Sequence, residues 1–363
     1  MKVAVFGAAG QLGRRVLIRL LREGSCSRII AGDRYARGLA DLQARFGGYG
    51  VTIRYLDADD IRSVRERMSG MDAVISCLGG STTDQSPLAQ EAVDQGRIYL
   101  DSSEDPDLFL RLQELYDPYR AGTGSAVTGL GWSPGLSNLL ALRAAAGFDL
   151  LDSLGIYWSI ATPELQSPGG QERLLRGFRG KCRSFENGRL REVRAGSWEE
   201  WRCFPPGVGW SGITYSCQPE PLTLPDGLPG IMQVQAKGGL NVTVSPYLVH
   251  TLAWASHLLP EHLQELLNHG MGVALKSLHR PSGEDPLSGL YVEVRGTRDG
   301  RRAEAVYGAT GSYLETTAGM LTAALTLMHR GDRRPGYFTP EKAFTLRDLL
   351  PSLRAEGVRF WGQ

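Results

Sequence analysis

The chain has 363 residues, 42% hydrophobic and 22% charged, with a formal net charge of +1. That composition is one of a folded globular protein too long for a single ordinary core. The near-neutral charge gives no overall pull toward nucleic acid or membrane, and arginine-rich stretches such as "RSVRERMSG" are interleaved with acids.

The sequence opens on a strand pattern, without the charged leader and apolar core of a signal peptide. Five cysteines, at 26, 77, 182, 203 and 217, form no C-x-x-C pair and are odd in number. This spacing argues for a reducing compartment and against both a disulfide framework and structural zinc. The expectation is a cytoplasmic protein without a membrane span.

Strand and helix signals alternate through the first 150 residues. Strands are predicted at "KVAVFG", "RIIAGD", "VTIRYLD", "DAVISCL", "RIYLDSS" and "SAVTGLG", with helices between them. Stretches ending at Gly24, Gly70 and Gly96 fit helices closed by a residue that tolerates positive φ. Such units in succession imply an α/β fold: a Rossmann-type, doubly wound parallel sheet covered on both faces. After about Leu151 the texture changes. "LGIYWSIA", "ITYSCQ", "IMQVQAKGG" and "LYVEVRG" read as strands of a mainly antiparallel sheet, and "ENGR" and "RDGRR" as hairpin turns. "YLVHTLAWASHLLPEHLQELLNHG" and "SYLETTAGMLTAALTLMHRG" read as helices, and "TPEKAFTLRDLLPSLRAEG" as a helical tail.

The densest chemical signal is "VFGAAGQLGRRVL". Gly7, Gly10 and Gly13 follow a strand and run into a helix. Glycine is needed there for a tight turn, for backbone approach to a pyrophosphate and for helix–strand packing. Backbone N–H groups at the helix start, Gln11 and Leu12 among them, would face the phosphates. Asp33 follows Gly13 by twenty residues, at the end of the next strand, where a carboxylate meets the adenosine ribose. Asp33 would repel a 2′-phosphate and Arg34 could pair with one, so the cofactor is NAD or NADP, with a slight lean to NAD.

None of the 13 tyrosines has lysine four residues on, so the Tyr-x-x-x-Lys chemistry of short-chain reductases is absent. The loop after the sixth strand has no nucleophilic cysteine. The six histidines lie late in the chain without H-x-H or H-E-x-x-H spacing, so no metal is expected.

"VFGAAGQLGRRV", "AGDR", "DAVISCLGG", "GRIYLDSSEDP" and "VTGLGWSPGLSNLLA" together resemble the saccharopine dehydrogenase-like family. The similarity is strong over residues 1–145; "TGSYLETTAGMLTAALTLM" and "GYFTPEKAF" resemble the family's closing helix and tail. The resemblance implies a discontinuous architecture, with a dinucleotide-binding domain of residues 1–130 plus 312–363 and an inserted α+β domain of residues 131–311. It also implies hydride transfer between NAD(P) and a carbon–nitrogen bond of an amino acid or its imine. Gly7, Gly10 and Gly13 match the phosphate loop, Asp33 or Arg34 the ribose site, and Cys77, Leu78 and Gly79 the loop beside the cofactor. Asp101 matches the acid of the family's Y-x-D-x-S motif. Gly131, Pro134 and Gly135 match its G-x-D-P-G, but Ser133 stands where many members carry aspartate.

Reducing an imine needs a proton donor and a group that orients the substrate carboxylate. Asp101 and Glu104 are the candidate acids, Arg173 and Lys237 the candidate carboxylate clamps, and Trp132, with Ser133 and Pro134, a candidate pocket wall. The expected partner is a small-molecule substrate, with a homodimer formed through the second domain and its "YVEVRG" strand. Alternatives are a reductase of a polyamine or other biosynthetic intermediate, and a dinucleotide-binding sensor without catalysis.

Overall fold

The structure, a computed structural model, describes residues 1–78, 84–115, 123–165, 168–178, 180–242, 251, 287–331 and 334–362. It divides into two compact units: Met1–Gly131 with Leu314–Ala343 and Leu349–Leu353, and Trp132–Tyr313 with Phe344–Asp348 and Arg354–Gln363. Assigning the whole stretch from residue 312 to the first domain is therefore corrected. Two parts of the tail belong with the second unit.

The first unit is the doubly wound sheet. Its strands are β1 (Lys2–Phe6), β2 (Arg28–Asp33), β3 (Val51–Tyr55), β4 (Ala73–Ser76), β5 (Ile98–Asp101), β6 (Ser125–Val127) and β15 (Gly336–Phe338). They lie in the order β15-β6-β5-β4-β1-β2-β3, and every pairing is parallel. Four of the five residues of β1 and all four of β4 are buried, as a strand covered on both faces requires. Helix α1 (Gln11–Glu23) buries Leu12, Val16, Leu17 and Leu20 on one face. It ends at Gly24, and Gly24, Gly70 and Gly96 all have positive φ, as expected. Helices α2 (Ala36–Phe46), α3 (Ile61–Met68), α4 (Ser86–Asp94) and α5 (Pro106–Leu115) make the remaining crossovers. Phe6, Val64, Met68, Val74, Leu88, Tyr99 and Leu108 form the core of one face. Strand order turns between β1 and β4, so the loops after those two strands flank the crevice of the sheet.

Helix α9 (Tyr313–Arg330) returns the chain to this unit. Its Glu315 accepts from Arg15 Nε at 2.8 Å and from Arg19 Nη2 at 2.7 Å, clamping it to α1 across some 300 residues of sequence. β15, three residues long, was not expected as a strand.

The second unit is built on β7 (Leu150–Ile160), α7 (Pro168–Gly177), the β8–β9 hairpin (Lys181–Glu186, Arg189–Arg194), β10 (Glu200–Cys203), β11 (Trp210–Tyr215), α8 (Glu220–Thr223), β12 (Gln233–Leu240), β13 (Ser288–Arg298), β14 (Arg301–Gly311) and β16 (Arg359–Gly362). The order is β10-β11-β12-β7-β13-β14-β16, with β8 beside β12. All pairings are antiparallel except β12 with β7, which is parallel, so the sheet is mixed. Asn187–Gly188 and Asp299–Gly300, all at positive φ, make the two anticipated tight turns. The "YVEVRG" stretch lies in β13 between β7 and β14, so it has no free edge to offer a second copy. Helix α6 (Leu136–Ala145) packs on β13 and β14. The tail is not wholly helical. It forms α10 (Pro340–Ala343) and α11 (Leu346–Ala355), then closes as β16 on β14. The helix expected over residues 247–270 lies outside the described residues, apart from Thr251.

Glu315→Ala leaves the mostly buried Arg19 without its carboxylate. The expected loss is about 2 kcal/mol of stability by denaturant titration, with secondary structure retained.

Candidate functional site

The glycine loop is closed from both sides. Gly7 has φ +71°, and a Cβ there would stand 2.7 Å from the carbonyl oxygen of Cys77. At Gly13 a Cβ would stand 2.3 Å from the Gly7 carbonyl oxygen and 2.6 Å from Ala8 Cα. Backbone therefore touches backbone at both positions, and a side chain at either would separate the loop from α1 or from β4. Gly10 occupies the N-cap of α1, which among the described residues has no side-chain cap and no acidic residue in its first turn. The amides of Gln11, Leu12 and Gly13 begin the helix at its positive end, a cradle for an anion.

The end of β2 completes the loop. Asp33 is 7% exposed; its Oδ2 accepts from Ala9 N at 3.0 Å and its Oδ1 from Tyr35 N at 3.1 Å. The carboxylate thus ties the glycine loop to the turn after β2. Arg34 points to solvent over the Tyr35 ring, 5.3 Å from its centroid, with a loose 3.5 Å contact to Asp59. Its guanidinium retains donors to offer.

After β4, Cys77 is buried and burial pushes its thiol pKa up, so it stays protonated. Leu78 is half-buried, and Gly79 lies outside the described residues. Gln85, absent from the expected residues, organises this loop. Its Nε2 donates to Leu78 O at 2.9 Å, and its Oε1 accepts from Ser76 Oγ at 2.7 Å and Tyr99 Oη at 3.3 Å.

Asp101 ends β5 and is 1% exposed. Oδ1 accepts from Ser103 N at 2.9 Å and Gly129 N at 3.0 Å, and Oδ2 from Thr128 Oγ1 at 3.3 Å. Burial raises its pKa to about 6, opposed by those hydrogen bonds. The side chain brackets the ends of β5 and β6, with almost no surface for a substrate. Glu104, three residues on, is half-exposed in the same loop.

The second-unit candidates are engaged internally. Trp132 is completely buried, so its ring is core and not an open pocket wall. Ser133 and Pro134 are buried as well. Ser133 Oγ donates to Glu220, and Ser137 Oγ donates to the same Glu220 Oε1 at 2.7 Å. A carboxylate is therefore present at this position, brought by a residue 87 positions away and not seen in the sequence. Lys237 is 7% exposed, pairs with Glu200 at 3.0 Å and lies over the Tyr215 ring. The carboxylate it clamps belongs to the protein itself. Arg173 lies on α7, and its side chain is outside the described residues.

Residues 3–123 match the family model of the saccharopine dehydrogenase NADP binding domain, which covers the glycine loop, Asp33, Arg34 and Asp101. Saccharopine dehydrogenase (L-Glu forming) from Saccharomyces cerevisiae superposes with a TM-score of 0.67 at 14% identity, over 100% of this chain and 99% of that one. Residues 3–123 thus match that family's NADP binding domain, and the chain as a whole shares the fold of a saccharopine dehydrogenase. The DAP dehydrogenase of C. glutamicum matches with a TM-score of 0.50 at 16% identity, over 98% of both chains. No curated protein matches the sequence. The matching model is that of an NADP binding domain, which supports a nicotinamide dinucleotide and gives no support to the lean toward NAD. Both Asp33 oxygens are held by backbone amides, one from the glycine loop and one from the turn after β2. Among the described residues no helix is long and apolar enough to cross a membrane.

Two outcomes follow from this geometry. Gly13→Ala should weaken NADPH binding by at least about tenfold in a fluorescence titration. Gly24→Ala, at positive φ with nothing nearby, should cost about 1 kcal/mol of stability and leave binding intact. The native state holds the Asp101 proton more tightly than the unfolded chain does, so this group lowers stability as pH rises from about 4 to about 6. Asp101→Asn keeps the shared acceptor and should flatten that part of the pH–stability curve, whereas Asp101→Ala should cost about 2 kcal/mol throughout.

Proposed function

We propose that the chain is an NADP-dependent oxidoreductase that transfers hydride to or from a carbon–nitrogen bond of an amino-acid-like substrate. The observation that carries this reading is the uncapped start of α1 behind a loop where Gly7 and Gly13 admit no side chain. It is supported by the match of that segment to an NADP-binding domain and by the dehydrogenase fold of both units.

The residues fit a dinucleotide. The amides of Gln11, Leu12 and Gly13 would hold its pyrophosphate, and Arg34, exposed beside Tyr35, would meet the 2′-phosphate. When bound, the nicotinamide supplies or accepts the hydride. The protein keeps the cofactor-side loop in place through Gln85, which binds Leu78 O and Ser76. Asp101 acts as a positioning residue: it fixes the loop after β5 through Ser103 N and the start of the segment after β6 through Gly129 N. Glu104, half-exposed on the loop that Asp101 anchors, is the carboxyl assigned to move the proton at the substrate nitrogen.

The test is a paired titration followed by turnover. Arg34→Ala should weaken NADPH binding about tenfold and leave NADH binding nearly unchanged. Wild-type protein should then oxidise NADPH in the presence of a 2-oxo acid and an amine, and Glu104→Gln should lower kcat more than it raises KM. Equal loss for both cofactors would overturn the assignment of Arg34. Binding without turnover on any such pair would overturn the catalytic reading.

A further inference from the structure

The described cysteines are all reduced, and two of them meet. Cys182, on β8, is 3% exposed and lies in a small cluster with Ala195 and Tyr215, against which Cys217 packs. Cys217 follows the end of β11 and is half-buried. Its backbone N–H donates to Gly177 O at 2.8 Å, and its Sγ lies 3.7 Å from Lys181 O, the carbonyl joined to the Cys182 nitrogen. The Sγ of Cys182 lies 3.6 Å from Val193 O. Cys217 thus packs against the cluster that holds Cys182, and the two thiols interact. Sequence spacing gave no hint of this, because 34 residues, including β9, β10 and β11, separate the pair.

We propose that Cys182 and Cys217 form an oxidation site, a dithiol that closes to an intramolecular disulfide on exposure to peroxide. The arrangement assigns the two sulfurs different parts. Contact with the Cys217 thiol and burial push the Cys182 pKa up, so this sulfur stays protonated and shielded. Cys217 has the solvent access that the first reaction needs. Its thiolate attacks one peroxide oxygen and the O–O bond breaks. This yields a Cys217 sulfenic acid and a hydroxide that takes up a proton to become water. The Cys182 sulfur then attacks the Cys217 sulfur; its proton goes to the departing hydroxide, and a second water leaves. Two thiols and one hydrogen peroxide become one disulfide and two waters. Cys77 is buried beside the glycine loop, and Cys203 is exposed at the edge strand β10. The bridge would staple β8, and through it the end of α7, to the segment that follows β11.

The test uses the full chain carrying Cys203→Ser, because Cys203 and Cys217 fall in one tryptic peptide. After mild hydrogen peroxide, the intact mass should fall by two hydrogens and two titratable thiols should disappear under denaturing conditions. Non-reduced peptide mapping should find Cys182 joined to Cys217, and a reductant should restore both. Unmutated protein should also lose two of its five thiols. With Cys182→Ser added, the cross-link should vanish and Cys217 should be trapped as sulfenic acid by dimedone. Retention of every thiol, over-oxidation of Cys217 without a cross-link, or a bridge to Cys26 or Cys77 would overturn the proposal.

Discussion

Between the carbonyl oxygen of Gly7 and the α-carbon of Gly13 there is no room for a methyl group, and much of the first unit is arranged around that contact. It brings α1 down onto the end of β1, so that the helix starts with its amides beside the turn. The same turn rests on the backbone of Cys77 from β4, which closes the other side. Asp33 then ties the loop to the end of β2 through Ala9 N. Three adjacent strands are thus held to one short stretch of backbone. The electrostatic result is a positive helix end with no side chain of its own to satisfy it, which is what a phosphate requires.

Buried carboxylates do comparable work near the first two places where the chain passes from one unit to the other. Asp101 receives Gly129 N just before the first crossing, and Glu220 receives Ser133 and Ser137 just after it. At the return crossing, Glu164 accepts from Ser288 Oγ at 2.6 Å, from Ser312 Oγ and from Tyr313 N at 2.8 Å. Each of these acids accepts from backbone or hydroxyl donors, at a cost in desolvation that Asp101 shows in its raised pKa. These carboxylates shape the connections, whereas Glu104 and Arg34 keep surface to offer a ligand.

The sequence was most legible where structure is local. The six β–α units, the glycine loop, the two tight turns and the helix-ending glycines are each written within a few adjacent residues. The features it concealed are products of distance. β15 has three residues and exists only because β6 offers it an edge, and β16 pairs with a strand about fifty residues earlier. Lys237 read as a candidate clamp because its partner Glu200 lies 37 residues away. Ser133 read as a lost carboxylate because Glu220 arrives from the far side of the sheet-forming segment. Gln85 carried no signal at all, since a glutamine before a helix looks like any other polar residue until its three partners are in place. Burial misled in the same way at Trp132, whose type fits a pocket wall and a core equally well.

The backbone from Gly7 to Gly13 and the end of β2 have the shape that a dinucleotide requires. Hydrogen–deuterium exchange with and without saturating NADPH tests this fit on the backbone itself. Exchange should slow in peptides spanning Phe6–Leu17 and Asp33–Arg37, with the β8–β9 hairpin unchanged. No change in those peptides at saturation, or protection confined to the second unit, would contradict it.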